Sequence, residues 1–202
     1  MPTLKAGAPP PGAGRVVAGT ARGIRLAGAG EATRPLGDRL KQAVFAMLEP
    51  EIRGRPFLDA FAGTGAAGIE ALSRGASGAT FLELDRVALA AIERNLTATR
   101  LAGSTTAVTR VDAVEWLAAA GSIAAPFGVV FLDPPYDLPG LLRAALERIE
   151  RAGRGVVLAA DGIAVAKYDL RTAPPARIGL LASVRERRFG ESAVTFYRWE
   201  AG

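Results

Sequence analysis

The chain has 202 residues, half of them hydrophobic, and contains neither cysteine nor histidine. This composition supports a core of ordinary size and excludes disulfides, thiolate or imidazole metal sites and a Ser-His-Asp triad. The formal charge of +5 lies in the first quarter, because residues 1–56 hold nine Lys and Arg against four Asp and Glu, whereas residues 57–202 hold sixteen of each.

This charge asymmetry is equally consistent with a polyanion-facing arm on an electrically balanced body and with a merely solvated basic surface. No apolar run approaches the roughly 20 residues that span a bilayer. The first 14 residues lack the hydrophobic centre of a secretory signal. We therefore expect a cytoplasmic protein that uses neither a membrane nor a metal.

Residues 1–14 contain four prolines and three glycines with almost no apolar side chains, which predicts a disordered tail. Residues 15–55 form a basic region. Its first part, Arg15 to Leu26, is typical of a hairpin with a short glycine-containing loop. Apolar residues at helical spacing behind Asp38 then predict a helix that docks against the main domain.

From residue 56 to residue 202, short apolar runs alternate with helical patterns. Such alternation predicts parallel strands joined by right-handed helical crossovers. The predicted strands are 57–61, 79–84, 107–111, 128–132 and 156–160, and the intervening helices are 66–74, about 89–96, 114–120 and 138–149. Residues 177–188 and 193–199 flank a Gly190 turn and predict a closing antiparallel hairpin.

A glycine loop follows the first predicted strand, in the pattern Asp59-x-Phe61-x-Gly63-x-Gly65. The two glycines permit a tight turn into a helix and a close approach of backbone amides to a ligand. A glycine loop in this place is ambiguous, because dinucleotide-binding proteins also use one to seat a pyrophosphate. The acid in this strand, Asp59, would repel a diphosphate and attract an ammonium group. S-adenosylmethionine carries such a group in its amino acid part, which Asp59 would face.

Acidic residues also end the second and third predicted strands. Glu83, with Asp85 as second choice, lies about 20 residues after the loop, where ribose hydroxyls need acceptors. Asp112 and Ala113 could bind an adenine amino group and ring edge. Each acid alone is more often a helix cap or a solvated turn residue, but their recurrence at successive strand ends favours cofactor binding.

The fourth predicted strand ends in Asp133-Pro134-Pro135-Tyr136, the most specific signal in the chain. The prolines cannot extend the strand, since they lack N–H donors. The Asp133 carboxylate and the Pro134 carbonyl could accept hydrogens from a planar exocyclic amine, while Tyr136 stacks on the base. The alternative is an ordinary proline turn with a capping aspartate.

From Arg15 to Tyr197 the chain resembles the bacterial small-subunit ribosomal RNA guanine-N2 methyltransferases. The motifs that carry the resemblance are Gly19-x-x-Arg22-Gly23-x-x-Leu26, Arg34-Pro35, Asp38-Arg39, Phe45-x-x-Leu48, the Asp59 to Gly75 segment, Glu83-x-Asp85-Arg86, Asn95-Leu96 and Asp133-Pro134-Pro135-Tyr136.

The resemblance implies a Rossmann-like class I fold, with a seven-stranded, mostly parallel sheet and helices on both faces. It implies methyl transfer from S-adenosylmethionine to a guanine N2 amine of 16S rRNA in an assembled or partly assembled 30S subunit, by a monomer. The glycine loop, Glu83 and Asp112 would hold the cofactor, and Asp133 to Tyr136 would contact guanine. The RNA-binding candidates are Arg15, Arg22, Arg25, Arg34 and Arg39.

Two positions depart from the family pattern. Leu36-Gly37 replaces a threonine and a further hydroxyl residue, and Ala159-Ala160-Asp161 stands where a glutamate is common near the end of the fifth strand. Two rival functions stay open. One is another amino methyltransferase, acting on adenine N6 in DNA or RNA or on a glutamine amide, and the other is a non-catalytic RNA-binding assembly factor.

Overall fold

The computed structural model describes residues 14–29, 37–122, 125–138 and 140–200. The expected disordered tail, apart from Gly14, and the RNA-binding candidate Arg34 lie outside these residues, as does Leu36. Everything below concerns the described part of the chain.

Five helices and eight strands alternate along the chain. The helices are α1 (Asp38–Ile52), α2 (Ala66–Ser73), α3 (Arg86–Thr99), α4 (Ala113–Ala118) and α5 (Leu141–Ala152). The strands are β1 (Pro56–Asp59), β2 (Gly78–Glu83), β3 (Thr106–Arg110), β4 (Phe127–Leu132), β5 (Leu158–Asp169), β6 (Arg177–Ile178), β7 (Leu181–Phe189) and β8 (Ser192–Trp199).

All eight strands form one sheet in the order β3-β2-β1-β4-β5-β8-β7-β6. Neighbouring strands from β3 to β5 are parallel, whereas β8, β7 and β6 join antiparallel to their neighbours. The predicted mostly parallel, Rossmann-like sheet and its closing hairpin are thus confirmed. The order reverses between β1 and β4, which makes the edge beyond these two strands the expected ligand site.

Alternate residues of the central strands point to opposite faces of the sheet and bury two apolar layers. Phe57 and Phe131 belong to one layer together with residues of α1, α2 and α3. Leu58 and Leu132 belong to the other, with residues of α4 and α5. Phe45 of α1 lies 6.1 Å from Phe57 and 6.0 Å from Phe131 between ring centroids, so α1 docks on the main domain as predicted.

Strand β5 differs from the prediction. It was expected at 156–160, but it begins at Leu158 and runs to Asp169. Its pairing with β4 shifts register after the Phe127↔Leu158 pair and resumes at Val129↔Ile163. The pairs that align β5 with the site therefore involve residues 163–166. The sheet also has one strand more than predicted, because the two-residue β6 pairs with β7 at the edge.

The N-terminal segment forms a reduced version of the predicted hairpin, with a single antiparallel bridge between Arg15 and Arg25. Its backbone hydrogen bonds are divided between pairs within the segment, such as the Val16 N–H with the Ile24 carbonyl, and partners on α2. The N–H groups of Val17 and Ala18 donate to the Glu70 carboxylate at 2.7 and 3.1 Å. Because Glu70 takes donors that a partner strand would otherwise use, the segment packs on the helix without extending a β-ladder.

Candidate active site at the ends of strands β1 and β4

The two sequence motifs follow neighbouring strands at the centre of the sheet. Strand β1 pairs with β4 in parallel, with Asp59 opposite Phe131. The glycine loop after β1 and the Asp-Pro-Pro-Tyr turn after β4 therefore leave the sheet side by side at its carboxyl edge. The sequence predicted this shared edge from two separate signals.

The glycine loop makes two turns that favour glycine. Gly63 has φ +53° and Gly65 has φ +77°, both in the left-handed region that L side chains rarely adopt. Gly65 also caps α2, and a Cβ there would lie 3.2 Å from Ile92. Loop conformation and close packing against α3 thus require the glycine that the sequence singled out.

Glu83, at the end of β2, holds this loop in place. Its Oε2 accepts a hydrogen bond from the Gly63 N–H at 2.7 Å. Its Oε1 accepts from the N–H groups of Leu84 and Asp85, both at 2.8 Å. The carboxylate is partly buried, so the predicted ribose acceptor shapes the backbone of the predicted cofactor loop.

Asp59 lies beneath the loop and is only 2% exposed. Its Oδ2 accepts from the Gly68 N–H in the first turns of α2 at 2.9 Å. Burial raises its pKa to about 7, an effect that the Gly68 bond opposes and the carboxylates of Asp133 and Glu83 reinforce. Phe61, two residues on, is partly buried against the layer beneath α4 and α5.

Asp85 and Asp112 are helix N-caps, which was the simpler interpretation of each residue taken alone. Asp85 accepts from the Ala88 N–H at 2.8 Å at the start of α3. Asp112 Oδ1 accepts from Val114 and Glu115 at the start of α4, beside the buried Ala113. Both caps follow the ends of β2 and β3, on the same edge of the sheet as the glycine loop.

At the end of β4, Asp133 and Tyr136 converge on a lysine that sequence analysis missed. Lys167 Nζ donates to Asp133 Oδ1 at 2.7 Å and to the Tyr136 hydroxyl at 2.8 Å. The Tyr136 hydroxyl is also 3.1 Å from Ser192 Oγ on β8. Pro134 is buried and Pro135 is exposed. A single ammonium therefore links the first and last residues of the motif.

The electrostatics of this pair follow from its position. Burial raises the pKa of the Asp133 carboxyl above its ordinary value, and the Lys167 ammonium opposes that rise. Burial acts to lower the pKa of Lys167, but the Asp133 carboxylate and the bonds to Asp133 and Tyr136 outweigh it, so this pKa is raised. Lys167 therefore carries its proton at neutral pH.

The extended β5 corrects one comparison with the family pattern. The predicted end of the fifth strand, Ala159 to Asp161, lies instead within the register shift between the Phe127↔Leu158 and Val129↔Ile163 pairs. Leu132 pairs with Ala166, so Lys167 is the β5 residue level with Asp133. The apolar run Ile163 to Ala166 could have signalled this strand, although alanine and the preceding glycine weaken the pattern.

The basic N-terminal residues lie on the segment that packs on α2 and at the start of α1. Arg15, Arg22 and Arg39 line one cavity of about 320 Å³, together with Asp38. Arg15 Nε is 3.0 Å from Asp38 Oδ2. The remaining candidate in the described residues, Arg25, is exposed opposite Arg15. Four of the five predicted arginines thus occur on one small segment and the start of α1.

Asn95 connects that segment to the glycine loop. Its Nδ2 donates to the Thr64 carbonyl at 2.9 Å and to the Ala27 carbonyl at 3.1 Å, and its Oδ1 accepts from the Ala27 N–H at 2.7 Å.

Within the described part of the chain, no helix is long and apolar enough to cross a membrane. Those same residues contain no cluster of three or more carboxylates that could hold a metal ion.

The sheet order, the glycine loop after β1 and the Asp-Pro-Pro-Tyr turn after β4 together define a class I, S-adenosylmethionine-dependent methyltransferase. The cofactor site fits that donor, since the loop that would approach it is bordered by the Asp59 and Glu83 carboxylates, which suit ammonium and ribose groups better than a diphosphate. More particularly, the chain belongs to the family described as Conserved hypothetical protein 95, which matches residues 14–198.

Relatives extend over nearly the whole chain. A Bacillus subtilis candidate rRNA methyltransferase, YlbH, is 37% identical over 91% of this chain and 98% of its own. The Escherichia coli ribosomal RNA small subunit methyltransferase D is 35% identical over 93% of this chain and 90% of its own. The solved structure of the Escherichia coli candidate methyltransferase yhhF superposes with a TM-score of 0.80 at 32% identity, covering 93% of this chain and 98% of that one. These matches confirm the family resemblance.

Proposed function

We propose that this protein transfers a methyl group from S-adenosylmethionine to the exocyclic N2 amine of a guanine in 16S rRNA. The observation that carries the proposal is the adjacency of the glycine loop and Asp133-Pro134-Pro135-Tyr136 on paired strands. Relatives above 30% identity along most of the chain bear names of small-subunit rRNA methyltransferases, which supports the choice of substrate.

The proposed cofactor site consists of the loop and strand-end residues. Gly63 and Gly65 let backbone approach the donor, Glu83 accepts from its ribose, and the Asp59 carboxyl lies beneath the loop that approaches its amino acid group. Further contacts come from the remaining predicted residues, Phe61, Asp85, Asp112 and Ala113. S-adenosylmethionine supplies an electrophilic methyl carbon, so that an N–C bond forms as an S–C bond breaks and the amine loses a proton.

The proposed base site uses the turn after β4. Because the lone pair of a planar exocyclic amine is delocalised into the ring, the amine is a weak nucleophile. Asp133 Oδ2 and the Pro134 carbonyl accept its two hydrogens and favour a pyramidal nitrogen. The Tyr136 ring stacks on the base and fixes its orientation, with Pro135 enforcing the turn. Positioning and charge arrangement then carry the rate.

The proposed RNA contact is the region 15–55, with residues 56–202 as the methyltransferase domain. Arg15, Arg22, Arg25 and Arg39 would neutralise backbone phosphates, together with Arg34, which lies outside the described residues. We further propose that the enzyme acts as a cytoplasmic monomer on an assembled or partly assembled 30S subunit, because a structured particle can present one guanine to the proposed base site.

The test uses 30S subunits from cells that lack this protein, incubated with the enzyme and a methyl-labelled donor. We expect label in one N2-methylguanosine of 16S rRNA, mapped by nuclease digestion and mass spectrometry. Label in N6-methyladenosine, in DNA or in a protein amide would select the rival methyltransferase function. Tight 30S binding without any label would select the assembly factor.

A further inference from the structure

Lys167 is a partly buried cation at the centre of the proposed base site. Its side chain is 13% exposed, and it lies between Asp133, at 24% exposure, and Tyr136. Its Nζ is also 4.7 Å from the centroid of the Tyr136 ring. An ammonium removed from water is stabilised only where an opposite charge and hydrogen bonds replace its hydration. Here Asp133 supplies the charge, and Asp133 and Tyr136 accept the hydrogen bonds.

The sheet fixes the position of this lysine. Ala166 pairs with Leu132 of β4, and Lys167 pairs with Val194 of β8, so the residue is held from both sides. Strand β8 also brings Ser192 to the Tyr136 hydroxyl. The Lys167 side chain therefore projects from a rigid element and can set the geometry of the more irregular turn that carries Asp133.

The chemistry of the ammonium suits this task. Lysine has three tetrahedral donors on a compact head, and two of them have acceptors at 2.7 and 2.8 Å. The chain carries 25 Lys and Arg, of which only Lys5, Lys41 and Lys167 are lysines. A lysine at this position is thus unusual for a chain that otherwise uses arginine.

We propose that Lys167 is a positioning residue for methyl transfer: it engages Asp133 Oδ1 so that Oδ2 is aimed at the substrate amine, and it fixes the Tyr136 ring against the base. This inference rests on the proposed function. The ammonium acts through Asp133 and Tyr136 and need not contact the substrate itself. It also opposes the rise that burial causes in the Asp133 pKa.

The kinetic test compares Lys167→Met and Lys167→Arg with the wild-type enzyme on 30S subunits. We expect kcat of Lys167→Met to fall by about 10²-fold, the scale of a misplaced catalytic group, while KM for RNA and donor change less than about twofold. Lys167→Arg should recover part of that loss. Arg171→Met is the control, because Arg171 follows the same strand, is 85% exposed and pairs with Asp169.

Two kinetic outcomes would overturn the proposal. An unchanged kcat in Lys167→Met would make the lysine a structural charge partner only. An increased kcat would mean that the ammonium occupies the place of the substrate amine and has to leave.

A second measurement needs no turnover. Carboxyl ¹³C NMR titration of aspartate-labelled protein should show a higher Asp133 pKa in Lys167→Met than in the wild type, since the lowering influence is gone. Two neighbouring ionisable groups stay in place: Asp59 on β1, which is coupled electrostatically to Asp133, and Tyr136, which shares the Lys167 ammonium with it. An unchanged titration would refute the coupling. A wild-type enzyme without rRNA activity would instead refute the proposed function and leave this titration to decide the role of Lys167.

Discussion

The Glu83 carboxylate and the Gly63 N–H are joined by a 2.7 Å hydrogen bond, which ties the end of β2 to the loop after β1. The same carboxylate receives two more backbone N–H groups. Glutamate supplies two acceptor oxygens for these donors, whereas a neutral amide at this position would turn an N–H₂ toward one of them.

Glu83→Gln should therefore loosen the glycine loop and weaken donor binding. Loss of one charge-assisted hydrogen bond corresponds to about a tenfold higher Kd for the donor. Isothermal titration calorimetry with S-adenosylhomocysteine measures this Kd. Glu93→Gln, an exposed carboxylate on α3, is the matched control and should keep the wild-type Kd. Equal affinities for all three proteins would exclude Glu83 from the cofactor site.

Asp133→Ala should abolish methyl transfer and spare donor binding, because the substrate amine loses its carboxylate acceptor. Single-turnover rates are expected to fall by at least about 10²-fold, with the Kd for S-adenosylhomocysteine within about twofold of wild type. Asp137→Ala, exposed in the same turn, serves as the comparison. A parallel loss of donor affinity would assign Asp133 to the cofactor instead.

Asp59 should make stability depend on pH. Burial raises its pKa from 3.8 to about 7 in the folded state, so between these values the folded protein binds more protons than the unfolded one. Stability from this group is therefore present at low pH and is lost as pH rises toward 7. Asp59→Asn should raise the melting temperature at pH 8 and flatten its dependence between about pH 4 and 7. Calorimetric scans across that range measure the melting temperature at each pH. A variant Asp59→Asn whose melting temperature changed with pH as steeply as that of the wild type would contradict this prediction.

Charge reversal of the N-terminal segment should weaken RNA binding. Arg22→Glu with Arg25→Glu removes phosphate contacts, so affinity should fall and the slope of log K against log salt should decrease by up to about two. The control is the double variant Arg143→Glu with Arg151→Glu, which replaces two arginines that both pair with Glu147. These residues belong to α5, which packs on the face of the sheet opposite to α1. Filter binding at several salt concentrations distinguishes them. Equal slopes in the two double variants would remove the segment from the interface.

Local sequence signals were sufficient for much of this fold. Apolar runs that end in Asp59 and Asp133 identified the central strands, because parallel strands are buried on both faces. Lys167 could not be found in this way. The part of its strand that leads to it pairs with β4 beyond a register shift between Phe127 and Val129, and its contacts join residues more than 30 positions apart. The capping roles of Asp85 and Asp112 were predictable locally, since each depends on the next three residues.

The most direct test of the central claim is a crystal structure of this protein with S-adenosylhomocysteine. We predict that the adenosine lies along Glu83 and Asp112 and that the sulfur faces the Pro134 carbonyl and Asp133, within reach of an amine held there. A sulfur directed away from the Asp133 turn, or a donor bound elsewhere in the protein, would contradict the account.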